Sequence, residues 1–462
     1  MASLVTLLFS CGSALIEGPD PAPEVGDPDV LAALPAAGRG EDAVVLGSTP
    51  KNLLVISLDT TRRDRVGFFN EEVDATPNLD AAFADGVILA DHRSCSNWTA
   101  PSTYCAQSGN FHLEQDVWLT SFDEGSSDRH VDWPASDLPT LASILSDAGF
   151  DTTLVTTNAY FANAHNGNAY GFDRLVPRFW QGADDALDAV EHASADLGAD
   201  GNPWYFHVHF FDPHESYEAP RAYWTDPRME CPWGVGSLDV QSRLEAGPTW
   251  FRLDEADQEL ARECLLNIYE GDLRYWDEKF GEMWADFQDR GLLDDTLVVF
   301  WTDHGQSFGE HDDKFNHGVT LYDTENRSTA AFWAHDIEPL RWTGPTTHQD
   351  LVPTILHALK VPPGDHSGTV VGHARYDRVR IAFNYLEGYS VPIISAVKVD
   401  KKLMYWWDGT KRFYDLATDP DEQDDIYDAS DPDVIALWEE LQPVIEHTQE
   451  VWPGLRPRDV GP

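Results

Sequence analysis

Four short apolar runs constrain the fold of this chain more than any other feature. They are Asn52–Asp59, Thr152–Thr156, Trp204–Phe211 and Thr296–Asp303, and each one ends in a polar loop. Continuous apolar runs of this length are typical of parallel strands that helices cover on both faces. Between the last two runs, apolar residues recur three and four positions apart over Leu266–Phe287, which predicts a packed helix. The sequence therefore predicts an α/β fold with a large mixed, mostly parallel sheet sandwiched by helices.

The pattern changes after about residue 360. A packed helix is predicted over Leu351–Leu359, and the short strands Arg380–Asn384, Ile393–Val399 and Leu403–Trp407 follow it without long helices between them. We therefore expect one large domain over residues 51–360 and a small C-terminal α+β subdomain over residues 361–462.

The N-terminal residues indicate export. Residues 1–16 are apolar but too few to span a bilayer, and residues 17–50 have the Pro, Gly, Ala and acidic composition of a flexible linker. The tetrapeptide that ends at Cys11 resembles a bacterial lipobox, although Phe9 is unusual there and no Lys or Arg precedes Arg39. The prediction is an exported bacterial protein of the periplasm or cell envelope, without a transmembrane helix and with a possible membrane tether through lipidated Cys11.

The charge balance bears on binding partners. The chain has 462 residues, with 80 Asp and Glu against 31 Lys and Arg, which gives a formal net charge of −49. Such a charge repels phosphate backbones, and the sequence has no basic patch to offset it, so nucleic-acid binding is not expected. A solvated acidic surface suited to a saline habitat is favoured over an acidic binding face.

Four cysteines remain when Cys11 is set aside. They are Cys95, Cys105, Cys231 and Cys264, whose spacings do not resemble a zinc motif. In an oxidising compartment the simplest pairing joins sequence neighbours, Cys95 with Cys105 and Cys231 with Cys264. Four buried thiols are the alternative.

Two of the predicted strands end in residues that bind metals. Asp59 closes the first run, and Asp303 and His304 close the fourth. Ligands of open parallel sheets bind at the carboxyl ends of the strands, so these side chains are expected to meet. Two carboxylates with one imidazole suit a divalent cation such as Ca²⁺, Mn²⁺, Zn²⁺ or Mg²⁺.

A candidate nucleophile lies in the segment NWTAPS, residues 97–102. Because Pro101 favours a first helical turn, Thr99 is expected at or just before a helix N-terminus. Backbone N–H groups and the helix dipole would attract a tetrahedral oxyanion there, and a nearby cation would lower the pKa of the hydroxyl. Taken alone, Thr99 is an ordinary helix cap, so its catalytic assignment depends on the motifs around it.

Seven motifs in order resemble the sulfatase family of the alkaline-phosphatase superfamily. They span about residues 52–427 and read NLLVISLDTTRRD (52–64), TPNLDAAFADGV (76–87), WTAPS (98–102), HFFDPHESY (209–217), TDHGQSFGEHDDKFNHG (302–318), DLVPTIL (350–356) and FYDLATDPDEQDDIY (413–427). The resemblance implies one divalent metal ion and hydrolysis of a small-molecule, glycan or lipid ester. The residues that it places at the metal are Asp59, Thr99, Asp303 and His304. The residues that it places against the transferred group or the leaving oxygen are His214, Lys314 and His317.

Departures from the family pattern concern the nucleophile motif. Thr99 stands where sulfatases have the Cys or Ser that becomes formylglycine, and threonine cannot yield that aldehyde. Thr103 stands where the motif has Arg, and SGNF (108–111) replaces a usual Gly-Arg pair. Thr60 follows Asp59 where many sulfatases have a second Asp. Arg62 or Arg63 is a candidate to replace part of the missing positive charge.

Three functions therefore stay open at the level of sequence. The favoured one is a metal-dependent hydrolase of sulfate esters, with attack by a metal-activated Thr99. The alternatives are a phosphoryl ester hydrolase or phosphotransferase of the same superfamily, and a non-catalytic lipoprotein that binds a metal or an anion.

Overall fold

The computed structural model describes residues 41–115, 139–162, 168–217, 219–231, 253–311, 314–385 and 390–451. Its strands are β1 (Asn52–Leu58), β2 (Val87–Arg93), β3 (Asp151–Thr156), β4 (Arg174–Pro177), β5 (Trp204–Phe210), β6 (Thr296–Thr302), β7 (Ser307–Phe308), β8 (Phe315–Asn316), β9 (Ala330–Trp333), β10 (Leu340–Thr347), β11 (Val379–Asn384), β12 (Ile393–Lys398), β13 (Lys401–Trp406) and β14 (Lys411–Asp415). Its α-helices are α1 (Pro77–Ala82), α2 (Thr99–Ser108), α3 (Leu141–Asp147), α4 (Ala159–Ala162), α5 (Ala183–Ser194), α6 (Glu255–Asp289), α7 (Asp323–Asn326), α8 (Leu351–Ala358) and α9 (Pro432–Val451). Short 3-10 turns cover Arg63–Arg65, His112–Gln115, Arg221–Tyr223 and His348–Asp350.

Eight strands form the main sheet in the order β10-β2-β9-β6-β1-β5-β3-β4. All neighbours in this sheet run parallel except β9, which is antiparallel to both β2 and β6. The four apolar runs of the sequence become β1, β3, β5 and β6, so the prediction of a mixed, mostly parallel sheet is confirmed. Strands β1, β5 and β6 lie side by side, which brings their carboxyl ends to one edge.

Helices cover both faces of this sheet because successive side chains of a strand point to opposite sides. Leu54, Ile56 and Leu58 of β1 face a core shared with α1, α5 and α6. Leu53 and Val55 of the same strand face a second core shared with α3 and α8. The apolar stripe of α6 is buried as its spacing predicts, and the chain turns at Gly291, whose φ is +68°.

A small antiparallel sheet follows the large one, in the order β11-β12-β13-β14. Helix α9 packs on it through a shared apolar cluster that also includes Tyr104 and Cys105 of α2. The sequence analysis predicted three of these strands and did not predict β14. Because this subdomain contacts α2, it supports the helix that begins at Thr99.

Residues near the start of the described chain correct the predicted linker. Ala43 and Val44 are buried, Ala43 N–H donates to the Val371 carbonyl, and Asp42 accepts hydrogen bonds from the rings of His357 and His373. The prediction of a flexible linker that reaches residue 50 is therefore wrong at its C-terminal end, because these side chains find partners on the large domain. Cys11 and the apolar N-terminal residues lie outside the described residues.

Disulfides join Cys95 to Cys105 and Cys231 to Cys264, which is the neighbour pairing that the sequence favoured. The first bridge encloses Thr99 and ties α2 to the segment before it. None of the described helices is both long enough and apolar enough to span a membrane.

Candidate active site

Three metal-competent side chains meet where β1 and β6 end. Asp59, Asp303 and His304 are fully buried, and their ligand atoms lie within 4.8 Å of one another. The Nε2 atom of His304 is 3.4 Å from Asp303 Oδ2 and 3.7 Å from Asp59 Oδ1. The pairing of β1 with β6 sets this geometry, because Asp303 N–H donates to the Leu58 carbonyl and fixes the two strand ends side by side.

Two of the donor atoms of this cluster have no hydrogen-bond partner among the described residues. His304 Nδ1 hydrogen-bonds the Gly305 carbonyl, which leaves Nε2 facing the carboxylates as a lone-pair donor. Asp303 Oδ1 accepts N–H bonds from Thr60 and His304, while Oδ2 and His304 Nε2 have no hydrogen-bond partner among the described residues. Buried polar atoms in native proteins are normally satisfied, so this arrangement fits a divalent cation.

Electrostatics agree with that fit. Burial and the charge of Asp59 raise the pKa of Asp303 well above its usual range. Burial alone would also raise the pKa of Asp59, but His214 and the hydrogen bond with His209 hold it below its usual range. Two carboxylates so close together repel one another unless a positive charge lies between them, which is what a bound cation supplies.

Thr99 is the first residue of α2, as the position of Pro101 predicts. Its Oγ1 atom lies 3.4 Å and 3.5 Å from the two carboxylate oxygens of Asp59. The hydroxyl is therefore at the edge of the metal cluster and at the positive end of a ten-residue helix. Gly109 ends that helix with a φ of +70°, a conformation that glycine adopts without strain.

Two residues that the sequence analysis missed also contact Asp59. Asn158 donates from Nδ2 to Asp59 Oδ2, and His209 Nε2 lies 3.7 Å from the same oxygen. Asn158 follows β3 just as Asp59 follows β1, so its place after a predicted strand could have identified it. His209 lies inside β5, where it reads as an ordinary buried residue of the apolar run.

His214 and His317 face the metal cluster from two different loops. The His214 ring is 5.0 Å from the His317 ring, and the His317 ring is 4.6 Å from that of His304, measured between centroids. His214 Nδ1 hydrogen-bonds the Glu215 carbonyl at 2.6 Å, and His317 Nδ1 hydrogen-bonds Gln306 Oε1 at 2.8 Å. Each ring is thus oriented through Nδ1.

The pKa values of the two rings are shifted in opposite directions. Burial alone would lower the pKa of His214, but the carboxylates of Glu215 and Asp59 raise it above its ordinary value. Burial and the neighbouring rings of His304 and His214 lower the pKa of His317 well below its ordinary value. His214 is consequently suited to donate a proton and His317 to stay neutral.

Two other positions that the sequence analysis singled out, Lys314 and Thr103, make contacts outside the metal cluster. Lys314 is exposed, and its backbone bonds to Gly309 and His311 hold the turn between β7 and β8. Thr103, in the place of the family's Arg, donates its hydroxyl to the Thr99 carbonyl at 2.7 Å.

The arginines that were candidates for the missing charge have other partners. Arg62 pairs with Asp64 and Glu310. Arg63 donates to the Ala90 carbonyl and lies 3.7 Å over the Phe69 ring. Their expected role as replacements for the missing arginine is therefore not supported by their contacts, because Arg62 pairs with carboxylates and Arg63 contacts a backbone carbonyl and an aromatic ring.

A buried carboxylate organises the turn before the nucleophile helix. Glu325 accepts hydrogen bonds from Asn97 Nδ2 at 2.7 Å, from Ser307 Oγ at 2.9 Å and from Thr320 Oγ1 at 2.5 Å. It thereby links the segment that precedes Thr99 to the loop that follows the metal cluster.

Glu325 is expected to make the free energy of unfolding depend on pH. Burial raises its pKa to about 7, above the value of 4.5 expected in the unfolded chain. Between these values the folded state binds the extra proton, so the free energy of unfolding should fall by about 3 kcal/mol as pH rises from 4.5 to 7. Glu325→Gln should lack this component, which denaturant unfolding of both proteins across the range would measure. Parallel curves for the two proteins would contradict the assignment.

The fold and this cluster together define a class. The mixed, mostly parallel sheet with its helices is the alkaline-phosphatase-like fold, and two carboxylates and an imidazole that could hold a metal ion meet at its strand ends. The family model described as Sulfatase matches residues 51–361, and the chain belongs to the sulfatase family. Proteins of this family and solved structures of this fold include hydrolases of sulfate and phosphonate esters.

Individual relatives and solved structures are consistent with this family and fold. The choline-sulfatase of Rhizobium meliloti (strain 1021) is 26% identical over 236 residues, which cover 47% of this chain and about half, 45%, of the relative. The solved 2-O GAG sulfatase BT1596 has a TM-score of 0.67 at 16% identity, covering 89% of this chain and 95% of that one. The phosphonate monoester hydrolase of Silicibacter pomeroyi has a TM-score of 0.63 at 19% identity, covering 86% and 95%. At these sequence identities, the similarity to the solved structures establishes the fold and not the activity.

Proposed function

We propose that this protein is a metal-dependent hydrolase of sulfate esters in which Thr99 is the nucleophile. The observation that carries the proposal is the position of the Thr99 hydroxyl at the start of α2, 3.4 Å from Asp59, whose neighbours Asp303 and His304 each keep one unsatisfied donor atom. One divalent cation held by Asp59, Asp303 and His304 would supply positive charge to the ester oxygens and lower the pKa of the hydroxyl.

The residues of the chain support a double displacement. Thr99 Oγ gives up its proton to solvent and attacks the sulfur atom, the bond from sulfur to the alcohol oxygen breaks, and that oxygen takes a proton from His214. Water then attacks the sulfur and the bond to Thr99 Oγ breaks. One proton of the water restores the Thr99 hydroxyl, the other returns to His214, and sulfate leaves. His317, whose pKa is lowered by burial and by the rings of His304 and His214, would hydrogen-bond the transferred group through Nε2, since its Nδ1 is bonded to Gln306.

Esters of phosphonic or phosphoric acids are the second candidate substrates. The observation in their favour is the likeness of the fold to a phosphonate monoester hydrolase, at nearly the same TM-score as to sulfatases. A threonine hydroxyl serves both ester types, because the intermediate it forms is broken by water at sulfur or at phosphorus alike. The choline-sulfatase relative supports sulfate as the first choice.

The test is a substrate panel with added divalent metal. We expect turnover of alkyl or aryl sulfates, weaker turnover of phosphonate and phosphate esters, and loss of all activity when a chelator removes the metal. Preferred turnover of a phosphonate or phosphate ester would transfer the assignment to the second candidate. No turnover of any ester, with metal still bound, would replace catalysis by the non-catalytic binding role.

We also propose that the protein is exported. The two disulfides support this, since such bonds persist in oxidising compartments. Lipidation of Cys11 would then tether the enzyme to a membrane. Metabolic labelling with palmitate in a bacterial host would detect the lipid, and a Cys11→Ser variant should not incorporate the label.

A further inference from the structure

The cavity beside His214 has a chemistry that the reaction at sulfur does not explain. Its volume is about 580 Å³, and its lining includes His214 and Glu215 of the active site. The remaining lining comes from the start of α5 and the residues before it, from the segment after β5 and from part of α6. Because His214 protonates the leaving oxygen in the proposed function, the alcohol part of the ester would occupy this cavity.

The walls combine aromatic faces with carboxylates. Trp180 is 56% exposed, and its ring centroid lies 5.2 Å from that of Phe211, which stacks on His214 at 4.3 Å. Tyr275 adds a third aromatic ring and donates its hydroxyl to Asp184. An aromatic wall thus runs from the cavity to the proton donor.

The charge of the lining has one sign. Among the residues that the structure describes, the lining contains no Lys or Arg. Its carboxylates are Asp184, Asp185, Asp212, Glu215 and Asp272. Lys279 lies outside the lining, 3.5 Å from Asp184 and 5.7 Å from the centre of the Tyr275 ring, so it offsets part of the negative charge beside these two residues.

We propose that this cavity binds an organic cation, so that the substrate is an ester whose alcohol carries an ammonium group. Aromatic faces and carboxylates together are the surroundings that stabilise a desolvated ammonium, through cation–π attraction and Coulomb attraction. The proposal rests on the proposed function for its statement about the substrate. It also resolves an electrostatic difficulty: a sulfate ester with a cationic alcohol has no net charge, so a protein of net charge −49 does not repel it.

Binding of the alcohol alone tests the cavity independently of turnover. Calorimetry with the full chain, in saturating divalent salt, would compare choline with 3,3-dimethylbutan-1-ol, an uncharged molecule of nearly the same shape. We expect choline to bind at least about tenfold more tightly. Equal affinity for the two alcohols, or no binding of choline, would overturn the proposal even if sulfate esters are hydrolysed.

Matched variants locate the binding. Trp180→Ala and Asp185→Asn should each weaken choline binding by about three- to fivefold. Phe179→Ala is the control for the first, because Phe179 is a neighbouring aromatic, 45% exposed, outside the cavity lining. Asp188→Asn is the control for the second, since Asp188 is an exposed carboxylate of the same helix and the variant changes the net charge equally. Equal effects of variant and control would overturn the assignment to this cavity.

Turnover then separates the two proposals. If choline binds as expected but choline sulfate and other esters are not hydrolysed, the proposed function fails and the cation site stands. If esters are hydrolysed with equal kcat/KM for choline sulfate and 3,3-dimethylbutyl sulfate, the function stands and the cation site fails.

Discussion

Thr99→Ala should lower kcat/KM for ester hydrolysis by about 10⁴-fold or more, which is the scale seen when a covalent nucleophile is removed. The reason is that, among the described residues, only the Thr99 hydroxyl is hydrogen-bonded to the carboxylate of Asp59, so the attacking oxygen is lost while the rest of the site stays in place. Metal content, measured by atomic emission on the purified variant, should be unchanged, because Asp59, Asp303 and His304 still hold the cation.

Thr103→Ala is the matched control for this variant. It removes the same atoms one helical turn further along α2, from a side chain that is equally buried. The Thr103 hydroxyl donates only to backbone carbonyls, so we expect a change in kcat/KM of no more than a few-fold. Thr99→Ser should keep measurable activity. Activity of Thr99→Ala close to that of Thr103→Ala would exclude Thr99 as the nucleophile.

Asp303→Asn should remove both the metal and the activity, with a loss of about 10³-fold or more in kcat/KM. The substitution keeps the size of the side chain but takes one negative charge from a cluster that is built to neutralise a cation. Metal titration followed by calorimetry should give a much larger dissociation constant for the metal than that of the native protein.

Asp277→Asn is the control for the loss of a buried carboxylate. Asp277 accepts N–H bonds from Asn78 and Leu79 in the large domain and does not belong to the metal cluster. We expect altered stability with unchanged metal affinity. Metal binding by Asp303→Asn that equals that of Asp277→Asn would show that the cation lies elsewhere.

The strand ends explain how much of the site could be predicted from the sequence. The clustering of Asp59, Asp303 and His304 was predictable because they follow uninterrupted apolar runs, and parallel strands bring such positions to one edge. Thr99 was found because Pro101 fixes a first helical turn. Both signals are local in the sequence, so they do not depend on knowing the tertiary packing.

Residues whose roles depend on tertiary packing were harder to predict. His209 lies within the apolar run of β5, so nothing in the sequence marks it as a site residue. The register of β5 against β1 brings it near Asp59. One partner of Arg62, Glu310, comes from a distant part of the chain, so sequence alone left Arg62 as a candidate replacement charge. For the same reason the packing of Ala43 and Val44 could not be recognised within an acidic, proline-rich segment.

The surface charge gains a more specific meaning from the site. A net charge of −49 suggested a saline habitat and opposed nucleic-acid binding. The carboxylates around Trp180 show that acidic side chains also line the cavity next to His214, where they would select the charge of the substrate. In this account, acidic residues on the surface suit a saline habitat, and acidic residues in the cavity select the charge of the substrate.

The most direct test of the account is to find where the transferred group is attached during turnover. Rapid acid quenching of the enzyme with its best ester substrate, followed by proteolysis and mass spectrometry, would detect a covalent intermediate. The account predicts one sulfuryl or phosphoryl group on the peptide that contains Thr99, which disappears when the substrate is exhausted and is absent from Thr99→Ala. A group attached to any other side chain, or product release without an adduct at any quench time, would contradict it.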